Sequence, residues 1–499
     1  MKKLLILILM LTLTFTGCIT FGPLPAETPD PTAEAFTPTE APTSLPTPMP
    51  TGTPNLSAPY EDSGRNYTYT MTDKRDRDWE EDIVFFADEM LHPFRGHPML
   101  ADRVTSTGRY NENLKRYSQT GTDNFFDPEL KALFIESVNE LIVSIPDKTD
   151  AEIRIGLMKI AAMLNDVHTK VSATFEEGFP IWLVPVEYGG ELAAFILQAP
   201  KASSELLGKR LTAINGVPVE EIAEMMRPML TYENDWGFFC NAYSCYYLMN
   251  CDHLRSFGVI GRERSAVFTA VGIDGVEVNC KVVARPLDSL WSNTQSYHEV
   301  NGVGYGETGV LLMDLDPFSD AWHTMLSKGS TLYFRINSCR VDESFRDILN
   351  DAFDEANSTD KLEKIIIDMR GNHGGYIDLD GCFLSLAVSL EATDADIYLI
   401  IDCECYSAAV GIPAMLKQRI EKLILVGSPT GQPVRFFAGG WDKELPNSGI
   451  GFSCSGGWND FWPGNDGDAL MPDITVFESY EDYLNGVDSV LYALLNGET

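Results

Sequence analysis

Residues 365–375 read Ile365-Ile366-Ile367-Asp368-Met369-Arg370-Gly371-Asn372-His373-Gly374-Gly375, an apolar strand that runs straight into a glycine-rich turn. Side chains alternate across a strand, so three consecutive isoleucines mark one that is buried on both faces. The chain then alternates: a helical run from Leu379 to Leu390, a strand from Ile397 to Ile401, a helix from Ser407 to Lys417 and a strand from Leu423 to Val426. Such a βαβαβ run implies a partly parallel sheet with crossover helices, in which ligands meet the carboxyl ends of the strands. The two turns at that edge carry unusual residues. In the first, glycines bare backbone N–H groups toward a cavity, which suits an oxyanion hole at Gly374 or Gly375 and equally suits a tight strand-to-helix turn. In the second, Cys405-Tyr406-Ser407-Ala408-Ala409, a serine hydroxyl stands at the sheet edge and the Ala408 N–H sits at a helix N-terminus, where the dipole stabilises negative charge. Ser407 is thus a candidate nucleophile, against the ordinary work of a serine there, capping its helix.

Upstream the period changes. From about Phe179 short β-like runs follow one another (Ile181–Val186, Leu192–Leu197, Val267–Val271, Val276–Val283), with an Asn215-Gly216 turn in "LLGKRLTAINGVPVEEI" at 206–222. Arg227–Gly258, rich in aromatics and cysteine, reads as an insertion. Before it three helices are expected. Asp78 with Glu81 makes a capping box ahead of Trp79, Ile83, Phe86 and Met90; Asp127-Pro128 opens the second; Thr149 with Glu152 caps the third. The third ends at Asn165-Asp166, which leaves His168 just past it, before a strand-like run from Thr169 to Thr174.

The first residues have the layout of a secretory signal: Lys2-Lys3, an apolar run from Leu4 to Phe15, then Thr16-Gly17 before Cys18. A cysteine in that place resembles a bacterial lipobox, although Phe15 stands where leucine is usual. Lipid on Cys18 would tether the protein to a membrane without spanning it. From Phe21 to about Tyr60, Pro, Thr, Ala and Ser dominate, so this stretch reads as a proline-stiffened spacer. The 37 basic and 73 acidic residues give a net charge of -36, which repels phosphate backbones and argues against nucleic acid. Ten cysteines, one of them Cys18, leave an odd number elsewhere; Cys240, Cys245 and Cys251 cluster, and Cys403 with Cys405 is too close for an easy bridge. No Cys/His spacing suggests zinc, so neither a metal nor another cofactor is expected.

Several segments in order, "DWEEDIVFFADEMLHP" (78–93), "LNDVHTKV" (164–171), "GKRLTAINGVPVEE" (208–221), "IIIDMRGNHGG", "CYSAAV" (405–410), "VGSPTGQP" (426–433), "LPNSGI" (445–450) and "MPDITVFESYEDYLNGVDSVL" (471–491), resemble the tail-specific (C-terminal processing) serine protease family. The glycine turn resembles that family's "DLRGNGGG", departing at Met369 and His373. The resemblance implies a multidomain α+β and α/β protein: an N-terminal helical region (75–175), a PDZ-like β-rich domain (178–287) and a protease core (305–495) of ClpP/crotonase-like type, behind a signal (1–18) and a linker (19–65). That core is shared with tricorn protease and with the retinoid-binding modules of the interphotoreceptor retinoid-binding protein. It also implies an extracytoplasmic serine peptidase acting on a peptide or protein substrate.

One departure is central. The family's general base is a lysine after a "GxPTxGK" turn, whereas this chain has Gly427-Ser428-Pro429-Thr430-Gly431-Gln432-Pro433. Gln432 cannot accept a proton at useful pH. The substitute expected here is His168, because "DVHT" resembles the "DGHT" segment that supplies a histidine base in tricorn-type relatives. A lysine must be lowered from about 10.4 to near 7, while a histidine starts at about 6.5. Asp166 is a local orienting acid, Asp466 and Asp473 distant ones. The competing role for His168 is capping the preceding helix. His373 is the second candidate base or a transition-state donor; His92 and His97 read as surface or packing residues, and His253, His298 and His323 show no partner. Trp441, Trp458 and Trp462 either wall a cleft or belong to the core. Two further readings stand against the peptidase: a binding lipoprotein that kept the core and lost catalysis, and an adaptor whose PDZ-like part captures peptide ends.

Overall fold

The computed structural model describes residues 60–61, 67–91, 128–303, 313, 315–340, 343–359, 361–376 and 382–497. The signal, Cys18, nearly all of the linker, His92, His97 and Asp127 lie outside these residues, as do the first residues of the helix expected from Leu379.

Six strands lie side by side in chain order: Ala321–Leu326, Thr331–Ile336, Lys364–Asp368, Asp396–Ile401, Leu423–Gly427 and Ile474–Thr475. The first pair is antiparallel and the rest are parallel. Helices Glu343–Asn357, Cys382–Ala392 and Ala408–Arg419 make the crossovers. The triple isoleucine divides as its period requires. Ile365 and Ile367 join Leu332, Phe334 and Leu399 under the helices with Phe345, Leu386 and Val410. Ile366 points the other way, with Tyr333, Ile400 and Val426, against Leu491 and Leu494 of the closing helix Ser489–Asn496. Each such buried side chain contributes about 1.5–3 kcal/mol.

The glycine turn stands on a buried ionic network. Arg370 Nη2 donates to Asp368 Oδ2 at 2.6 Å and to Asp488 Oδ2 at 2.7 Å, while Arg335 Nη1 reaches Asp368 Oδ1 at 3.1 Å and the Tyr333 hydroxyl donates to Asp368 Oδ2 at 2.8 Å. Burial opposes charge on Asp368, yet the Arg370 and Arg335 guanidinium groups hold its carboxyl well below the ordinary range. Removing one partner strands the others, so Arg370→Ala is expected to lose about 3–5 kcal/mol in denaturant unfolding; an unchanged midpoint would contradict this.

In the N-terminal region the first helix, Lys74–Leu91, starts four residues before the expected cap. Asp73 Oδ1 accepts from the N–H of Arg75 at 2.9 Å and so takes the capping role first, while Asp78 lies inside the helix, paired with Lys74 at 2.6 Å. The second helix runs Pro128–Ser144. The third, Asp150–Ala162, opens on the Thr149–Glu152 capping box and ends before Asn165, whose φ of 49° turns the chain. The strand-like run after His168 shortens to Lys170–Val171, which pairs with Gly451–Asp460 and through it with Arg435–Glu444. That small sheet brings His168 to the core.

A seven-stranded sheet occupies 182–296, including Trp182–Tyr188, Glu191–Pro200, Arg210–Ile214, Ser265–Val271 and Glu277–Val283, with Thr294–Ser296 joining one edge. Its Asn215-Gly216 turn has φ of 49° and 81°, the left-handed pair that a tight hairpin demands. The Arg227–Gly258 segment forms helices Asp235–Ala242 and Cys251–Ser256, and the first docks on the core: Asn234 Nδ2 donates to Thr430 O at 2.9 Å.

Candidate active site

Ser407 joins strand Asp396–Ile401 to helix Ala408–Arg419 at φ 56° and ψ -121°, a conformation that costs a side-chain-bearing residue about 1–3 kcal/mol. It makes no side-chain cap, so the ordinary capping role is not the one adopted. Ser407→Gly should therefore raise stability by about 1 kcal/mol in chemical denaturation, because glycine accepts this backbone and no hydroxyl contact is lost; a destabilised variant would show that the strain is absent.

The glycine turn closes directly over this serine. A Cβ on Gly374 would stand 2.7 Å from both Ser407 Cβ and Tyr406 O, and one on Gly375 2.7 Å from the carbonyl of Cys339, so neither position admits a side chain. The two glycines differ in what they offer. Gly374 donates its N–H to Asn372 Oδ1 at 2.8 Å, which takes it out of the expected oxyanion set, since one N–H cannot serve both acceptors. Among the described residues the N–H groups of Gly375 and Ala408 have no acceptor.

Gln432 stands between Ser407 and His168. The Ser407 N–H donates to Gln432 Oε1 at 2.7 Å, and Gln432 Nε2 lies 3.4 Å from His168 Nδ1. A backbone N–H can only donate, which fixes the amide with its oxygen toward Ser407 and its NH2 toward the imidazole. Nδ1 is then the unprotonated nitrogen of a neutral ring. Gln432 thus joins the Ser407 main chain, not its hydroxyl, to the imidazole, and Ser407 Oγ makes no hydrogen bond among the described residues.

His168 is locked from several sides. Its ring stacks on Phe436 at 5.7 Å with 5° between planes and makes a main-chain hydrogen bond with Phe437, so it faces the core rather than capping its helix. Its carbonyl accepts from Ser453 Oγ at 2.7 Å. Asp166, fully buried, accepts from the His168 N–H at 3.0 Å, from Thr169 Oγ1 at 2.7 Å and from Ser455 Oγ, which ties "DVHT" to the hairpin. Asp166 Oδ1 is 4.0 Å from Nδ1, close enough to stabilise an imidazolium. Burial pushes the ring down to about 4, against the pull of Asp166 and helped by Lys170.

The distant acids are occupied elsewhere. Asp466 pairs with Arg435, and Asp473 binds Lys417 at 2.8 Å and the Leu425 N–H at 2.7 Å. His373 is exposed with its ring 6.0 Å from Tyr406. His253 meets Tyr247 O at 3.1 Å, His298 meets Tyr483 O at 3.3 Å and His323 lies 3.2 Å from Glu355, each a structural pairing. Trp441 and Trp462 pack against the two large cores. Sequence reasoning passed over Lys170, which is in register with Ser453 and, across it, Asp442; burial lowers both His168 and His373, and the Lys170 charge adds to it. The signal was its place two residues past His168 on one short strand. Among the described residues no group of three or more His, Cys, Asp or Glu could hold a metal ion, and no helix is long and apolar enough to cross a membrane.

The fold is of mixed helix and sheet, with a strained serine at the carboxyl edge of a largely parallel sheet and a neutral histidine one amide away. Among solved structures the chain is similar to mature CPAF (13% identity, covering 84% of this chain and 98% of that one, TM-score 0.48). It is also similar to the photosystem II D1 C-terminal processing protease (11%, 73% and 98%, TM-score 0.31) and to tricorn protease (13%, 84% and 36%, TM-score 0.33). No family model and no curated protein matches the chain.

Proposed function

We propose that this protein is a serine-type peptidase of the tail-specific kind, exported and held at the membrane through lipid on Cys18, with residues 19–65 as spacer and the β-rich 178–287 part as a PDZ-like module. The observation that carries the reading is Ser407: a strained serine whose hydroxyl caps nothing, beside two unoccupied N–H groups and a neutral imidazole. Its Oγ attacks the scissile carbonyl carbon, and the proton passes to His168 Nδ1, which Asp166 supports as it becomes charged. The Gly375 and Ala408 N–H groups receive the oxyanion; one such donor is worth about 3 kcal/mol. His168 then protonates the leaving amine and, in the second half, takes a proton from the water that attacks the acyl-enzyme and returns it to Ser407 Oγ as the acyl–oxygen bond breaks. Gln432 must yield for the first transfer, since its NH2 group occupies the His168 Nδ1 that has to receive the proton.

That same glutamine favours a second reading, a binding lipoprotein in which the family lysine has been replaced and the site is silent. Incubating the full chain with an unstructured protein and sequencing the fragments separates them. Fragments absent from the Ser407→Ala control support the peptidase; no cleavage, or equal cleavage by the control, leaves the binder.

A further inference from the structure

Two thiols that the site does not use meet beside it. Cys240, on helix Asp235–Ala242, and Cys403, in the turn four residues before Ser407, are 163 residues apart in the chain, and their Sγ atoms lie 2.7 Å from each other. Both belong to segments already in contact. Asn234 Nδ2 donates to Thr430 O at 2.9 Å and to Asp468 O at 2.7 Å, and the Tyr406 hydroxyl donates to Gly237 O at 3.3 Å. A side chain at Gly237 would run into Gly431 O, so the helix lies with its main chain close against that turn. Cys405, next but one along the turn, does not compete for Cys403: it is fully buried, and its thiol donates to Met369 O at 3.2 Å beneath the glycine turn.

We propose that Cys240 and Cys403 form a disulfide that fastens the inserted helix to the turn carrying Ser407. The bond forms by exchange with an external disulfide such as oxidised glutathione. One thiolate attacks it and releases one small thiol; the other then displaces the second small thiol and closes the Sγ–Sγ bond. The two protein sulfurs are oxidised, the external disulfide is reduced, and the two protons of the protein thiols end on the two small thiols released. The link closes a long loop and so restricts the unfolded chain. Burial raises the Cys240 thiol, which makes its sulfur a poor leaving group once linked, so the bond is slow to be reopened by external thiols. It holds the strained turn whether or not Ser407 is a nucleophile.

The test uses the full chain, incubated with oxidised glutathione, blocked with N-ethylmaleimide under denaturing conditions and digested. A linked peptide pair carrying Cys240 and Cys403, lost on treatment with dithiothreitol, is expected. The oxidised protein should melt about 5 °C or more above the reduced one, a gap that closes in the Cys240→Ser variant. Recovery of both cysteines as maleimide adducts, or of either linked to a different cysteine, overturns the proposal.

Discussion

Ser407→Ala is expected to lower peptide turnover at least about 10³-fold while moving the thermal midpoint by no more than a degree or two. The two halves rest on separate observations. Loss of a nucleophile removes the covalent route, and removal of such residues from serine hydrolases costs several orders of magnitude in kcat. The fold, by contrast, asks nothing of this hydroxyl: it caps no helix and accepts or donates no hydrogen bond among the described residues. Alanine also keeps the φ of 56°, so none of the strain that Ser407→Gly releases is recovered. Parallel kcat/KM and melting measurements check the pair. Activity that survives, or falls only as far as stability falls, would make Ser407 structural.

The acid limb of the pH profile should be displaced, and His168→Ala should remove it while lowering kcat/KM about 10²–10⁴-fold. A histidine base works only unprotonated. Burial, opposed by Asp166, sets this ring at about 4, so kcat/KM is expected to stay level through neutral pH and to fall only as pH drops toward 4, not near 6.5. Stability moves in a related window with a fixed sign. The folded value lies below the unfolded one, so between about 6.5 and 4 the unfolded chain binds the extra proton, and stability falls as pH falls through that interval, by up to about 3 kcal/mol. A limb near 6.5 would mean an ordinary solvated histidine; a limb unchanged in His168→Ala would assign it to another group.

How much of this was legible depended on the range of the forces involved. The triple isoleucine announced a strand buried on both faces because strand periodicity is local, and the sheet bears that out in the split between Ile366 and its two neighbours. Thr149–Glu152 was readable for the same reason, whereas Asp78 misled because Asp73, five residues earlier, offers the same carboxylate to the first free N–H groups. Placement of His168 was another matter. It depends on Lys170 pairing with Ser453 and Asp166 with Ser455, contacts across more than 280 residues that no local pattern encodes. At Gln432 the sequence has an amide where the family it resembles carries a lysine; only the fold shows that amide bridging the Ser407 N–H and His168. Likewise the glycines after Asn372 were visible as a pair, but which N–H remains free turns on the Asn372 side chain folding back on Gly374. Cys240 and Cys403 gave no sign of each other because they sit on different domains of the sequence pattern.

The pairing of hydroxyl and imidazole is tested most directly by reacting the full chain with a fluorophosphonate and sequencing the modified peptide. One adduct, on Ser407, with a rate that drops sharply in His168→Ala, is the expected result. No adduct on the folded protein, or one at Ser407 that forms as fast without the imidazole, would contradict it.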